Sequence, residues 1–212
     1  MAAYFITGAG TGVGKTFATC ALMHAKGARG LKPVISDWNE GDSDTAQIIT
    51  ASGGKQTVEE TSPWRFSAPL SPHRAAALES KPIDIEQLLA WTRAEAEKPG
   101  MTLIEGVGGV MVPISDTFTV LDWMAALQLP VIFVTGSYLG SLSHTLTGLE
   151  ALRSRGLHVA ALVMNESDGS TVTLAEAEAG LTPFVRAIPL RIVQSRVSSW
   201  KLASAIHAME IQ

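Results

Sequence analysis

The stretch Gly8-Ala-Gly-Thr-Gly-Val-Gly-Lys-Thr16 follows the apolar run Tyr4 to Thr7 and leads into a helical segment, Lys15 to Ala28. It matches the phosphate-binding P-loop pattern, with Ala9 as its small first residue and one extra glycine, Gly8, ahead of it. A strand before and a helix after are what the chemistry requires, because backbone N–H groups and the helix N-terminus must face an anion. Gly10, Gly12 and Gly14 let the backbone approach phosphate oxygens with no Cβ in the way. Lys15 offers a point charge to the β- and γ-phosphates, and the Thr16 hydroxyl is placed to ligate Mg²⁺. Nucleotide binding is the reading.

The surrounding chain supplies the sheet that such a loop needs. Strands are expected over Tyr4 to Thr7, Leu31 to Ile35, Thr102 to Glu105, Val131 to Thr135, Val159 to Asn165 and Val185 to Ile188. Helices are expected over Lys15 to Ala28, Asp44 to Ala51, Pro72 to Glu79, Ile85 to Glu97, Val120 to Leu127, Ser143 to Arg155, Leu174 to Leu181 and Ser199 to Met209. Runs such as Val131-Ile-Phe-Val-Thr135 are apolar throughout instead of alternating, which marks strands covered on both faces. The expectation is an α/β, doubly wound, mostly parallel sheet of the P-loop nucleoside triphosphate hydrolase kind, one domain over residues 1–212. Ser52 to Pro82, with its Pro and Trp, reads as an excursion beside the active site.

Composition narrows the class. The 212 residues carry 16 Lys and Arg against 20 Asp and Glu, a net charge of −4, so nucleic acid and anionic membrane are not expected partners. With 46% hydrophobic and 17% charged residues, the chain can bury a large core and is not disordered. The lone Cys20 excludes an internal disulfide framework, and five scattered His without a Cys cluster exclude a structural zinc site. No signal peptide is read at the N-terminus, and no apolar run reaches the roughly 18 residues of a membrane span. A reducing, cytoplasmic setting is expected.

Four further positions carry chemistry. Glu105 ends an apolar strand and precedes Gly106-Val-Gly-Gly109, so it falls where ligands collect in open α/β sheets and is a natural Mg²⁺ partner of Thr16. Lys32, inside a strand candidate, needs a partner or an exit, and otherwise reads as a solvated edge lysine. Asp44 opens a helix, where an acid also serves as a simple first-turn charge. Asn165 ends a strand in the place where such folds read the base, and Asn165-Glu-Ser-Asp168 suggests a purine other than guanine.

Taken in order, these residues resemble the dethiobiotin synthetases, the ATP-dependent enzymes that close the ureido ring in biotin synthesis. The likeness covers nearly the whole chain. It runs through Gly8 to Thr16 with Phe17-Ala-Thr-Cys20, Lys32-Pro-Val34 with Ser36, Asp44, Pro69-Leu-Ser-Pro-His73 and Glu105 to Gly109. Pro113-Ile-Ser-Asp116, Leu139-Gly-Ser-Leu-Ser-His144, Asn165 and Ile188-Pro-Leu190 complete it. The resemblance implies Mg²⁺ ligation by Thr16, Asp44 and Glu105, and ATP held by Gly12, Val13, Gly14, Lys15, Thr16 and Phe17. Asn165, Pro189, Leu190 and Arg191 would surround the adenine. Thr11, Lys15, Lys32 and Ser36 would surround the reacting carbamate and γ-phosphate, with Lys15, Lys32 and Thr11 as the catalytic set. It further implies a homodimer in which Ser141, Leu142 and Ser143 hold the carboxylate tail of the partner's substrate. The implied substrates are diaminopelargonic acid, CO₂ and ATP.

The chain departs from the family's usual pattern at Ala9-Gly10, where Thr-Asp is common, and at Tyr138. Gln194 and Arg196 stand where a nucleoside-binding acid is common. Three other readings stay open: a ligase of the cobyric acid kind, a small-molecule kinase, and a partner-switching ATPase of the partitioning type. The first usually has a glutaminase-like domain, the second an Arg-rich lid. The third has a second lysine early in the loop, where Gly10 stands here. His73, His144 and Cys20 read as structural.

Overall fold

The computed structural model describes residues 2–41 and 43–193. The helix expected over 199–209, residues 194 and 196, and the side chain of Arg191 lie outside what is described. The chain begins β1 (Ala2–Gly8), α1 (Lys15–Lys26), β2 (Arg29–Leu31), β3 (Val34–Ile35) and α2 (Asp44–Ala51). It continues α3 (Val58–Thr61), β4 (Trp64–Arg65), α4 (Pro72–Leu78), α5 (Ile85–Ala96) and β5 (Met101–Glu105). It closes with α6 (Val120–Leu127), β6 (Val131–Gly136), α7 (Ser141–Ser154), β7 (Val159–Asn165), α8 (Leu174–Leu181) and β8 (Leu190–Val193).

Six strands form one sheet in the order β2-β5-β1-β6-β7-β8, every neighbouring pair parallel. Alternate residues serve opposite faces, as strand geometry requires. Phe5, Ile104, Phe133, Leu162 and Met164 face one core with Trp123 of α6 and Leu149 and Leu152 of α7. Their neighbours Tyr4, Ile6, Leu103, Ile132, Val134, Ala161 and Val163 face a second core with Ala18, Ala21 and Leu22 of α1 and Ile48 of α2. Both faces are therefore apolar, which is why these strands read as unbroken hydrophobic runs. Phe5 meets Trp123 edge to face at 5.1 Å between ring centroids, and burying one such ring is worth about 1.5–3 kcal/mol.

Two expected strands differ. The run Leu31 to Ile35 is two strands in two sheets: β2 stops at Leu31, and Val34–Ile35 pairs instead with β4. Pro33 is the reason, since it has no N–H for the ladder; its carbonyl accepts from Trp64 N at 3.0 Å and steers the chain away. At the far edge the strand lies at Leu190–Val193, not Val185 to Ile188, because Thr182–Phe184 forms a 3₁₀ turn first. The Pro189 carbonyl accepts from Leu162 N at 2.9 Å and starts that pairing. Helix α7 begins two residues earlier than expected, at Ser141, capped by Gly140 in a left-handed conformation.

The sheet order fixes the site. Central β1 lies between β5 and β6, so its following loop lies beside the end of β5, where Ile6 pairs with Glu105. Gly8 is needed here for space. A Cβ on it would lie 2.6 Å from the Val134 carbonyl oxygen on β6 and 2.9 Å from Val13 Cγ2. Backbone of a central strand yields little, so Gly8→Ala is expected to destabilise the fold by about 1–3 kcal/mol. Thermal unfolding measures this as a fall of several degrees; an unchanged midpoint would mean that the β1–β6 spacing is slack.

Candidate active site

The site is built outward from the end of β1. Helix α1 starts at Gly14 (φ 86°) with no side-chain cap, so its first N–H groups remain available to an anion. Gly14 is doubly constrained: besides its left-handed backbone, a Cβ there would lie 2.4 Å from Asn165 Nδ2. Asn165 is buried at the end of β7, and its Nδ2 donates to the carbonyls of Val13 at 2.7 Å and Gly14 at 3.3 Å. The amide thus braces the loop from behind. Because both donors go to carbonyls, Oδ1 is the acceptor left over, buried and without a partner.

Glu105, fully buried at the end of β5, is the hub. Its Oε1 accepts from Thr16 Oγ1 at 2.8 Å and Lys32 Nζ at 2.6 Å, and its Oε2 accepts from Thr19 Oγ1 at 2.7 Å. Lys32 Nζ also lies 2.7 Å from Asp44 Oδ2, so one ammonium bridges two carboxylates. Burial alone would depress the Lys32 pKa, but the charges and hydrogen bonds of Glu105 and Asp44 prevail and hold it above the ordinary lysine value. Burial likewise pushes Asp44 up, and Lys32, Thr16 and Lys15 more than offset it, leaving its carboxyl below the usual range.

Lys15 is in a different state. Its Nζ donates to the Gly10 carbonyl at 2.7 Å. Burial first, and the repulsion of Lys32 second, lower its pKa to about 8 despite the opposing attraction of Glu105 and Asp44.

A cleft of about 700 Å³ joins these groups. Of the residues singled out from sequence, Thr11, Gly12, Gly14, Lys15, Thr16, Phe17, Lys32, Ser36 and Asp44 all line it. Glu105 lies behind Thr16, and the Ser36 hydroxyl is buried without a partner. Pro69 to Pro72 also line it, which puts the Ser52 to Pro82 excursion beside this cleft. Ser141, Leu142, Ser143, Asn165, Pro189 and Leu190 are not among the lining residues of this cleft. Ser141 to Ser143 form the first turn of α7, with Leu142 packed toward Gly180 of α8. His73 pairs with Ser71, and His144 with Tyr138.

Three participants escape a sequence reading. Thr19 lies three residues past Thr16, on the same helical face, and that spacing was its only signal. Gln47 and Asp37 also line the cleft. Gln47 is one turn beyond Asp44, whereas Asp37 is brought in by a left-handed backbone turn (φ 60°) that no sequence pattern marks.

For a divalent cation, Thr16, Asp44 and Glu105 supply a hydroxyl and two carboxylates close to the loop. These hard oxygens suit Mg²⁺, which takes one or two carboxylates and fills its remaining positions with phosphate oxygens and water.

Comparison with known proteins bears on this geometry. A family model described as an AAA domain matches residues 2–196. The ATP-dependent dethiobiotin synthetase of Caulobacter sp. strain K31 is 42% identical over 210 residues, covering 94% of this chain and 90% of that one. That of Methylobacterium nodulans is 43% identical over 197 residues, covering 84% and 88%. Among solved structures, the cell division ATPase MinD of Pyrococcus furiosus superposes with a TM-score of 0.57 at 17% identity, covering 99% of this chain and all of that one. The septum site-determining protein MinD of Pyrococcus horikoshii, complexed with Mg-ADP, gives 0.56 at 13% identity, covering 98% and 93%. At such identities the structures speak for a shared P-loop α/β fold.

Two outcomes follow from the charges. Lys32→Ala leaves Glu105 buried without its cation, and urea unfolding is expected to show a loss of about 3–5 kcal/mol; a loss below about 1 kcal/mol would mean the bridge contributes little. For Lys15, the nucleotide-free protein is half neutral near pH 8. A triphosphate favours the charged form, so binding of Mg-ATP at pH 9 should take up close to one proton, and affinity should fall as pH rises above 8. Calorimetry in two buffers of different ionisation enthalpy measures that uptake; none at pH 9 would show that Lys15 keeps its proton unaided.

Proposed function

The chain belongs to the ATP-dependent dethiobiotin synthetase family of ligases, and from that premise we propose that it carboxylates 7,8-diaminopelargonic acid and closes its ureido ring. Supporting the proposal above all is one observation: two buried lysines, one braced by Glu105 and Asp44, line a single cleft with the phosphate loop. Such a cleft suits two anions that must meet.

In the proposed reaction an amine of the substrate captures CO₂ as a carbamate, releasing a proton. A carbamate oxygen attacks the γ-phosphorus of ATP, and ADP departs, leaving a carbamic–phosphoric anhydride. The second amine attacks the activated carbonyl; phosphate leaves, a proton is lost and the ring is closed. Two unit charges 4 Å apart repel by about 4 kcal/mol at an effective dielectric of 20. Lys15, Lys32 and Thr11 are the groups proposed to offset this, with the free N–H groups at the start of α1 and residues Gly12 to Phe17 around the triphosphate. Mg²⁺ would be held by Thr16, Asp44 and Glu105, and when bound it supplies charge neutralisation at the phosphates. Ser36, with its unpartnered buried hydroxyl, is proposed to bond the carbamate. No protein nucleophile takes part; orientation and electrostatics carry the rate.

The unpartnered Oδ1 of Asn165 suits the exocyclic amine of adenine, with Pro189, Leu190 and Arg191 of the β8 edge beside the base. A homodimer would bring Ser141, Leu142 and Ser143 of one protomer to the other's substrate carboxylate. In support, the first turn of α7 has no side-chain cap, and although the Ser141 N–H donates to Tyr138 O at 2.9 Å, the turn still offers the positive end of a helix dipole to an anion. Residues 1–212 are proposed as one domain, working in the cytoplasm. Among the described residues no helix is long and apolar enough to cross a membrane.

The test supplies purified protein with Mg-ATP, bicarbonate and diaminopelargonic acid. ADP and the cyclic urea are expected in equal amounts. ADP release at the same rate without the diamine would overturn the ligase reading in favour of a nucleotide switch.

A further inference from the structure

We propose that Asp37 anchors an ammonium group of the substrate and makes the cleft selective for an amine-bearing compound, an inference that rests on the diamine reading above. Three described residues other than glycine have a positive φ: Asp37, Ser80 and Gln128. Two of them end helices, where a left-handed residue is common: Gln128 caps α6, and Ser80 follows the cap of α4. Asp37 ends no helix. It follows β3, in a turn held by the segment that follows β4.

Three backbone bonds fix that turn. Phe66 N donates to Ile35 O at 2.9 Å, Asp37 N to Ala68 O at 3.2 Å and Trp38 N to Phe66 O at 3.0 Å. Aspartate is among the few side chains that visit this conformation at modest cost. Strain retained in a binding cleft invites a functional explanation. The consequence of the turn is that Asp37 joins Lys32 and Ser36 in lining the cleft.

Charge gives the explanation. An ammonium entering this cleft meets Lys15 and Lys32, both of its own sign. The acids nearest to them are committed: Glu105 accepts from Thr16, Thr19 and Lys32, and Asp44 is paired with Lys32. Among the described residues Asp37 makes only backbone hydrogen bonds, and its carboxylate has no ion pair, so it alone of the cleft acids is uncommitted. It stands two residues past the end of β3 and lines the same cleft as the phosphate loop. A carboxylate there attracts an ammonium and, being anionic, repels a misplaced phosphate. Selectivity for the amine and orientation of the two co-substrates then have the same cause.

The experiment compares Asp37→Asn, which keeps shape and tolerance of the left-handed turn but drops the charge, with Asp37→Gly, which frees the backbone as well. Both are expected to raise the KM for diaminopelargonic acid by about ten- to a hundredfold, the scale of one charge-assisted hydrogen bond. The KM for Mg-ATP should stay within about twofold and the Tm should not fall, since neither substitution strains the chain. An unchanged diamine KM in Asp37→Asn, with the wild type active, would overturn the assignment while sparing the ligase reading. Matching rises in both KM values with a lowered Tm would overturn it in favour of a structural role. A wild type that shows no diamine-dependent ADP release would overturn both.

Discussion

A lysine ammonium held between two carboxylates, beneath a loop built to bind anions, is the constraint to which the rest of this structure answers. Lys32 Nζ stands 2.6 Å from Glu105 and 2.7 Å from Asp44. Neither Lys32 nor Glu105 could be buried alone, since an isolated ion in a protein interior costs several kcal/mol. Together, with Thr16 and Thr19 satisfying the remaining oxygens of Glu105, they can. The cluster draws on four elements: the end of β5, the first turns of α1, the residue after β2 and the start of α2. Its formation therefore requires that the sheet order be correct, and its geometry in turn fixes how those elements meet.

That requirement explains the break at Pro33. Had β2 continued to Ile35, Lys32 would sit inside a strand, its backbone committed to the ladder beside β5. Ending the strand at Leu31 lets the Lys32 N–H go to Thr61 O at 3.0 Å, while its side chain runs into the carboxylates. The next two residues then found a separate two-stranded sheet with Trp64 and Arg65, and that small sheet presents Ser36 and Asp37 to the cleft. One proline thus links a local loss of hydrogen bonding to the shape of the cleft.

The central fold was legible because its signals are local. Apolar runs buried on both faces identify parallel strands, and β7, α2, α6 and α8 keep the limits read from the sequence. The loop from Gly8 to Thr16 and its partner Glu105 could be assigned from strand ends, since sheet topology brings those ends together, whereas the role of Lys32 rested on the family resemblance. What escaped depends on geometry acquired only in three dimensions. The short β3–β4 sheet pairs residues thirty apart, and two-residue strands carry no periodicity to read. Asp37 depends on a backbone turn, and the brace from Asn165 onto the loop carbonyls on a contact across 152 positions. The Asn165 N–H groups serve the loop itself, which leaves its Oδ1 as the atom for the base contact that the sequence suggests.

The two cleft lysines divide the electrostatic work in opposite ways. Lys32 carries a secured charge: its partners keep it protonated, and it gives up that charge only at great cost. Lys15 carries an insecure one, lowered to about 8 by burial and by Lys32 itself. Among the described residues its ammonium donates to the Gly10 carbonyl, a neutral dipole that compensates a cation less well than a carboxylate does. A phosphate arriving at the loop removes that deficit, so binding energy is gained at Lys15 that a pre-paired lysine could not give. Lys32 contributes the reverse. In the nucleotide-free protein its position is already set by Glu105 and Asp44, so a second anion meets a cation held in place. An arrangement with both lysines paired would bind the triphosphate weakly, and one with both unpaired would place two bare cations in a dry cleft. The unequal pairing avoids both costs, and Glu105, through its choice of Lys32, is the residue that sets it.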